Sequence, residues 1–207
     1  APETVVVLGG AGVTGVAGPS ILAEYPFVDH IIQGEGERPL FRLLRALLRG
    51  RPGPAGKGLL SKGRKEGVPG WNGLRDLRKL PVPDYREYVA RAEAHNLLWY
   101  LPVESSRGCW WDRTAVTGNP RKKCFFCNYS NGPYRAKTAR RMAREVDALA
   151  ERHRNLRFAF SDNALNPRSI AAMSRELRAS GREYSIFASL RANLRPRDLL
   201  ALKEAGL

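Results

Sequence analysis

Short apolar runs alternate with amphipathic stretches along most of the chain, and this alternation predicts strands and helices in turn. Residues 4–8 read TVVVL, a continuous β-branched run that is typical of a buried parallel strand. A helix-like stretch at 19–25 and a second apolar run at 28–33 follow. The next stretch carries apolar residues on one side of a helix, namely Leu40, Phe41, Leu43, Leu44, Leu47 and Leu48. This order predicts an open α/β sheet with parallel strands.

The carboxy-terminal half repeats the same alternation. Apolar runs at 98–104, 156–161 and 184–190 predict strands, and amphipathic stretches at 138–154, 167–180 and 196–205 predict helices. Asn166 followed by Pro167 is typical of an N-cap and a first-turn proline. Strand–helix repeats of this length predict the first units of a (β/α) barrel. Between the halves, residues 50–73 are rich in Gly, Pro, Lys and Arg, which favours a linker or a surface excursion.

All the cysteines of the chain lie within nineteen residues, at Cys109, Cys124 and Cys127. Three thiolates, two of them in C-x-x-C, can hold three corners of an iron–sulfur cluster and leave the fourth iron open. A zinc site needs four ligands, and no histidine lies at the spacing of a zinc knuckle from this pair. The odd number disfavours a disulfide, and the Gly/Pro/basic stretch before C-F-F-C disfavours a thioredoxin-type pair.

The cysteine segment resembles the cluster loop of radical S-adenosylmethionine (SAM) enzymes, usually written C-x-x-x-C-x-aromatic-C. Phe126 fills the aromatic position, but fourteen residues separate Cys109 from Cys124 where the common pattern has three. The run ESSRGCWW, a long insert, C-x-F-C, N-G, Y-R and K-T is similar to cobalamin-binding radical SAM proteins that mature ribosomally made peptides. The resemblance implies that Cys109, Cys124 and Cys127 hold a [4Fe–4S] cluster and that the Phe126 backbone contacts the adenine of SAM.

Polar residues follow the predicted strands of the carboxy-terminal half, at the end where barrels of this kind bind ligands. Asp162 and Asn163 stand where the family places contacts to the methionyl part of SAM, although a turn and a cap explain them equally well. Arg107 precedes the first cysteine and could pair with the SAM carboxylate or with a surface acid. Arg191 is a further candidate SAM contact. The Trp-Trp pair after the first cysteine would wall the pocket or pack the loop.

Two glycine clusters follow the first two predicted strands. A tight turn explains Gly9 and Gly10 when they are taken alone. Together with the later G-E-G-E, the pair resembles the carboxy-terminal half of the cobalamin-binding domain in the same enzymes. The resemblance implies that Gly9 and Gly10 let the backbone approach the nucleotide tail of the corrinoid, while Gly34 and Glu35 lie nearer the ring. No D-x-H-x-x-G sequence precedes these strands, so a histidine ligand to cobalt is not visible.

The resemblance implies an α/β protein truncated at both ends. It predicts the carboxy-terminal half of a Rossmann-like cobalamin-binding domain at 1–49, a linker and hinge at 50–97, and a partial (β/α)6 radical SAM barrel at 98–207. The implied activity of the full-length parent is C-methylation of a ribosomally made peptide through a 5′-deoxyadenosyl radical and methylcobalamin, with the fragment itself inactive. The alternatives are a radical SAM and cobalamin enzyme acting on a small molecule, and a non-catalytic iron–sulfur or zinc RNA-binding module.

Charge bears on the partners. The net charge is +15 and the pI is about 10.4, values that also occur in nucleic-acid-binding proteins. The arginines are spread over helices and the linker without one aromatic–basic stripe, which favours solvated faces over a nucleic-acid patch. The positive charge would also attract an acidic peptide substrate. The resemblance implies an electron donor such as flavodoxin or ferredoxin. No apolar run reaches the ~18 residues of a membrane span, and free thiols fit a reduced cytoplasmic setting.

Overall fold

The computed structural model describes residues 4–54, 56–64, 72–126 and 132–207. The chain divides into two compact units, Ala1–Arg75 and Asp76–Leu207. Each unit has its own sheet and its own apolar core. In the described residues, every helix is too short or too polar to cross a membrane. The boundary between the units lies inside residues 50–97, the stretch predicted from the sequence to be a linker and hinge.

The first unit is a three-stranded sheet with two α-helices. Its elements in chain order are β1 (Val7–Leu8), a 3-10 turn (Ala11–Val13), α1 (Ala17–Glu24), β2 (His30–Ile32), α2 (Glu37–Leu47) and β3 (Leu59–Ser61). Strand β2 is central, with β1 parallel to it and β3 antiparallel. The βαβα order predicted for this half is confirmed, although the first strand covers only two residues of the predicted 4–8.

Strand β2 has apolar neighbours on both of its faces. Successive side chains of a strand point to opposite faces, and Ile31 packs with Val13 and Val28 while Ile32 packs with Leu43 and Leu59. A strand covered on both faces can carry adjacent apolar residues, which is why Ile31 and Ile32 do not alternate with polar ones. This two-sided burial fixes the positions of the turns that follow β1 and β2.

The linker interpretation does not hold for residues 59–61. These residues form β3, and Leu59 is completely buried. The pairing satisfies backbone groups of β2 that would otherwise lie on an open sheet edge. Two leucines between glycines were too short a run to show a period. The remaining part of this stretch at 65–71 lies outside the described residues.

The second unit contains a parallel sheet, a short antiparallel pair and five α-helices in the described residues. Its elements in chain order are a 3-10 turn (Leu77–Lys79), α3 (Arg86–Ala94), β4 (Leu101–Val103), β5 (Ser106–Arg107), α4 (Thr114–Thr117), a 3-10 turn (Pro120–Lys122), β6 (Arg135–Ala136), α5 (Ala139–His153), β7 (Arg157–Phe160), α6 (Pro167–Arg178), β8 (Ser185–Ala188) and α7 (Pro196–Glu204). The parallel sheet has the order β4-β7-β8, and β5 pairs with β6.

Three helices of this unit, α5, α6 and α7, begin and end close to their predicted bounds, whereas α3 and α4 were not predicted. Asn166 caps α6, because its Oδ1 accepts a hydrogen bond from Arg168 N at 3.1 Å, and Pro167 is the first helical residue. Thr138 caps α5 in the same way. The helices bury one face against the parallel sheet, and the largest fully buried side chains here include Leu101, Met142, Leu149, Phe158, Ile170, Leu177 and Leu202. This packing holds the carboxyl ends of β4, β7 and β8 side by side.

Candidate functional site

The cysteine loop, defined as residues 108–134, is closed at its base by the β5–β6 pair. Ser106 lies opposite Ala136 and Arg107 opposite Arg135. Gly108 begins the loop with a φ of +78°, and a Cβ atom there would lie 3.0 Å from the carbonyl oxygens of Gly132 and Pro133. Only glycine combines this left-handed backbone with so close an approach. The two ends of the loop are therefore held together.

The three predicted cluster ligands lie on this loop. Cys109 and Cys124 are half-buried free thiols, and Cys127 lies outside the described residues. The described residues bring together no group of three or more His, Cys, Asp or Glu side chains that could hold a metal ion. Iron–sulfur clusters are held by cysteine thiolates. Two half-buried thiols on one closed loop, in a chain with three cysteines in all, are ligands of the right chemical type.

Asp112 ties the two cysteine-bearing ends of the long insert together. Its Oδ2 accepts a hydrogen bond from Cys124 N at 3.2 Å, and its Oδ1 accepts one from Thr114 N at 3.0 Å. These bonds, that from Thr114 first and that from Cys124 second, lower the pKa of Asp112. Arg113 N also donates to the Lys122 carbonyl at 3.2 Å, so the insert closes on itself. Sequence reasoning missed Asp112, although an aspartate two residues before a helical turn is a capping signal.

Asp162 anchors the start of the cysteine loop to the carboxyl end of β7. One carboxylate oxygen accepts from Ser105 N at 2.9 Å, and the other accepts from Ser105 Oγ at 2.7 Å and from Ser106 Oγ. Asp162 is 5% exposed. Ser161 N bonds to the Val103 carbonyl at 2.9 Å, which continues the β4–β7 pairing up to this point. The carboxylate therefore joins the end of β7 to the segment that follows β4.

The predicted SAM contacts at Asp162 and Asn163 have different surroundings. Both oxygens of Asp162 are already engaged by serines, whereas Asn163 is exposed. Arg107 donates through Nε to both carboxylate oxygens of Glu104, each at 2.9 Å, and the two side chains are largely buried. Of the two pairings foreseen for Arg107, the structure contains the one with an acid of the protein. Contacts of these three residues with SAM stay predictions.

The tryptophan pair connects the loop to the ends of two strands. Trp110 Nε1 donates to the Ala164 carbonyl at 3.1 Å, after β7. The Trp111 ring meets the Trp110 ring edge-on, and the Arg191 guanidinium carbon lies 3.9 Å from the Trp111 ring centre, after β8. Such a cation–π contact attracts the guanidinium to the ring face. Arg191 Nε is buried and makes no hydrogen bond within the described part of the chain. Packing of the loop by the tryptophans is thus observed, and Arg191 is brought to it.

Phe126 is placed unlike an ordinary packing residue. Its side chain is 94% exposed, and that of Phe125 beside it is 86% exposed. Neither aromatic group packs into the core of the second unit. The adenine contact assigned to the Phe126 backbone remains a prediction.

The glycines of the first unit lie where β1 and β2 end. Gly9 and Gly10 are exposed directly after β1, and Gly10 has a φ of +91°. A Cβ at Gly10 would meet nothing within 4 Å, and one at Gly9 would meet only the Ile32 carbonyl at 3.7 Å. The backbone here is open to a ligand. Parallel strands of open α/β sheets place their ligand-binding loops at this edge.

Two amide side chains missed by sequence reasoning shape the same edge. Asn72 accepts from Glu35 N at 3.1 Å and donates to the carbonyls of Gln33 and Glu35 at 3.0 and 2.8 Å. The Gln33 side chain donates to the Val13 and Gly15 carbonyls, each at 2.8 Å. Gly34 has a φ of +78°, and a Cβ there would lie 2.6 Å from Asn72 Oδ1, so the turn itself favours glycine at this position. Asn72 therefore holds part of the turn assigned to cobalamin.

Comparison with known proteins gives a fold and one distant relative. No protein-family model matches the chain. It is 26% identical over 210 aligned residues to the uncharacterized methyltransferase PH0819 of Pyrococcus horikoshii, covering 97% of this chain and 43% of that protein. Two structures of the cobalamin-dependent S-adenosylmethionine radical enzyme OxsB match 97% of the chain at 16% identity. The one with aqua-cobalamin and S-adenosylmethionine bound has a TM-score of 0.67, and the one with aqua-cobalamin alone 0.65.

These matches establish a mixed α/β fold that resembles part of a cobalamin-dependent radical SAM enzyme. The chain spans less than half the length of PH0819 and 28% of the OxsB chain. The peptide-maturation family named by the sequence resemblance is not among these relatives. The resemblance in fold is therefore confirmed, while the enzyme family, the substrate and the ligand residues of this chain stay predictions.

Proposed function

We propose that this chain forms part of a cobalamin-dependent radical SAM methyltransferase. The observation that carries the proposal is the cysteine loop, which is closed by the β5–β6 pair and anchored by Asp162 at the carboxyl ends of β4 and β7. Ligands of (β/α) barrels bind at this end of the strands. The fold match to OxsB and the distant methyltransferase relative support the same class.

In this proposal Cys109, Cys124 and Cys127 are the cluster ligands. When bound, the cofactors supply electron transfer, SAM cleavage and a methyl group, and the protein positions them. Asp112 sets the approach of Cys124, and Asp162 fixes the segment before Cys109. The exposed Phe126 backbone and Asn163 would contact SAM, and Arg191 offers a buried Nε whose hydrogen-bonding capacity is unused by the described residues.

The hydrogen bonds of Arg107 and Asp162 favour a positioning role for both residues over direct contact with SAM. Arg107 is paired with Glu104 and Asp162 with two serines, so each would position the loop and leave SAM to other groups. Substituting either residue should then weaken iron retention before it weakens SAM binding. Equal iron content with weaker binding of SAM would restore the direct contact.

The first unit would hold the corrinoid at the open backbone of Gly9 and Gly10, next to the turn of Gly34 and Glu35. A matched pair of variants tests this. Gly9→Ala adds a methyl group that the protein accepts, since its nearest atom would be 3.7 Å away, and Gly12→Ala adds one that meets nothing within 4 Å. We expect Gly9→Ala to weaken binding of hydroxocobalamin to the complete protein about tenfold, or ~1.4 kcal/mol, and Gly12→Ala to leave it unchanged. Equal binding by both variants would remove the corrinoid from this turn.

The substrate proposed is a ribosomally made peptide, methylated on carbon in the reduced interior of the cell. The positive charge of the chain suits an acidic peptide, and the resemblance of the cysteine segment supports the peptide class. A radical SAM and cobalamin enzyme acting on a small molecule is the second candidate. If a short precursor peptide is encoded near the gene, its incubation with the complete protein, SAM and a reductant should yield a peptide heavier by one methylene unit. An unmodified peptide together with turnover of SAM would favour the small-molecule alternative.

A further inference from the structure

The insert at 112–123 presents a dense patch of positive charge. Its basic residues are Arg113, Arg121, Lys122 and Lys123, and all four are exposed. None of them forms an ion pair within the described part of the chain. The single carboxylate of the insert, Asp112, accepts hydrogen bonds from two backbone N–H groups. Lys123 also attracts the Asp112 carboxylate, so four cations face one acid and the insert keeps a net charge of +3 (4 − 1).

Hydrogen bonds hold these charges in a defined shape. Asn119 accepts from Arg121 N at 2.9 Å and caps the 3-10 turn Pro120–Lys122. Arg113 N bonds to the Lys122 carbonyl, and Gly118 ends the short helix α4 in a left-handed conformation with a φ of +65°. An already ordered surface loses less conformational entropy when a partner binds. A loop whose only role was to connect its two ends in solvent would not need these hydrogen bonds.

An apolar group adjoins the charges. Phe125 follows the basic run directly after Cys124, and it is 86% exposed. Protein interfaces are enriched in aromatic residues and arginine at their centre and are charged at their rim. The combination of Phe125 with four cations has the composition of a docking surface for an acidic protein.

We propose that the insert and Phe125 dock an acidic one-electron carrier protein of the flavodoxin or ferredoxin class. The inference rests on the proposed function, in which Cys124 is a cluster ligand and an outside protein must supply electrons. The reduced carrier gives up one electron and the cluster accepts it, with no bond made or broken. Redox encounters are small, often below ~1,200 Å², and opposite charges raise their association rates by about 10- to 1,000-fold.

The placement of the charges favours this carrier over the peptide substrate. Of the residues proposed to contact SAM, Asn163 and Arg191 follow β7 and β8, and Phe126 lies on the cysteine loop beyond the insert. All the cations of the patch lie on the insert, and in the described residues the hydrogen bonds of 113–123 stay within the loop. A carrier needs only to reach the cluster from outside, whereas a substrate has to reach the strand ends.

The test is equilibrium binding of oxidised flavodoxin to the complete protein, both with and without its cluster. Arg121→Glu combined with Lys122→Glu should weaken binding at least about tenfold at low salt. The difference should vanish near 1 M salt, where charges are screened within about 3 Å. The matched control is Arg175→Glu combined with Lys203→Glu. These exposed residues lie near the carboxyl ends of α6 and α7, and the control changes the net charge equally.

Iron content and reduction of the cluster by dithionite should be the same in both double variants and in the unsubstituted complete protein. Equal weakening by the two variants, or none from the insert variant, would overturn the proposal. Unchanged flavodoxin binding with weaker binding of a glutamate-rich peptide would also overturn it, by giving the patch to a substrate. Failure to assemble any cluster would contradict the proposed function. Binding of flavodoxin to the cluster-free protein would still test the docking surface independently.

Discussion

Lys137 and Glu145 form an ion pair inside the second unit. Lys137 Nζ lies 2.9 Å from each carboxylate oxygen of Glu145, and the side chains are 3% and 1% exposed. Lys137 directly follows β6, and its N–H donates to the Ser105 carbonyl at 2.8 Å. Glu145 lies on α5. The pair therefore fixes the exit of the cysteine loop to the helix that follows it.

Removing one member of this pair should be far more costly than removing both. We expect Lys137→Met to lower the free energy of unfolding by about 3–5 kcal/mol, because a buried carboxylate loses its partner. Arg141 Nη2 lies 3.6 Å from Glu145, which places the effect toward the lower end. Adding Glu145→Leu should recover most of the loss. Denaturant unfolding of Lys137→Met, Glu145→Leu and the double variant measures this, and simple additivity of the two single substitutions would refute the coupling.

Asp162→Asn should loosen the start of the cysteine loop. In one orientation the amide N–H groups would oppose the donor Ser105 N, and in the other the two serine hydroxyls would lose the oxygen that accepts their hydrogen bonds. The mismatch should cost about 1–3 kcal/mol. We expect faster amide hydrogen exchange at Ser105 and Ser106 and faster release of iron. Asn163→Ala is the matched control, since it changes the adjacent exposed residue. Slow exchange in both variants would mean that Asp162 does not anchor the loop.

Shortening the insert should preserve iron binding as long as Asp112 remains. Deleting residues 115–121 removes the self-closed turn but keeps Asp112 and Cys124. Halving a loop changes its closure free energy by only about 0.6 kcal/mol. By contrast, Asp112→Ala in the uncut chain should reduce the iron content, because Cys124 loses its backbone anchor. Metal analysis after anaerobic reconstitution decides between them. Full iron in Asp112→Ala with loss in the deletion would reverse the roles assigned here.

Much of this architecture could be predicted from the sequence, because apolar periodicity and caps report on local structure. The helix that begins at Pro167 and the apolar runs around β7 and β8 are examples. Bonds between distant residues left no such pattern. Asn72 holds Glu35 across 37 positions and Asp162 holds Ser105 across 57. Any polar residue near a turn could have taken these places, so only the folded chain identifies the partners.

Tyr184, which directly precedes β8 and donates a hydrogen bond to Asp147 on α5, should make the second unit sensitive to alkali. Burial, and next a hydrogen bond donated to Asp147, raise the pKa of Tyr184 to about 12. The unfolded chain loses this proton near pH 10, so the contribution is complete below pH 10 and is lost as pH rises toward 12. Tyr184→Phe should flatten that part of the stability profile. Parallel profiles of the two proteins between pH 9 and 12 would contradict the assignment.

We predict that Cys109, Cys124 and Cys127 hold a cluster with one open iron for SAM. The most direct measurement is the iron content and SAM cleavage of the anaerobically reconstituted complete protein, beside single Cys→Ala variants. We predict about four irons per chain, and 5′-deoxyadenosine formation that each substitution abolishes. Tightly bound zinc, no iron-dependent absorbance after reconstitution and no cleavage of SAM would contradict the account.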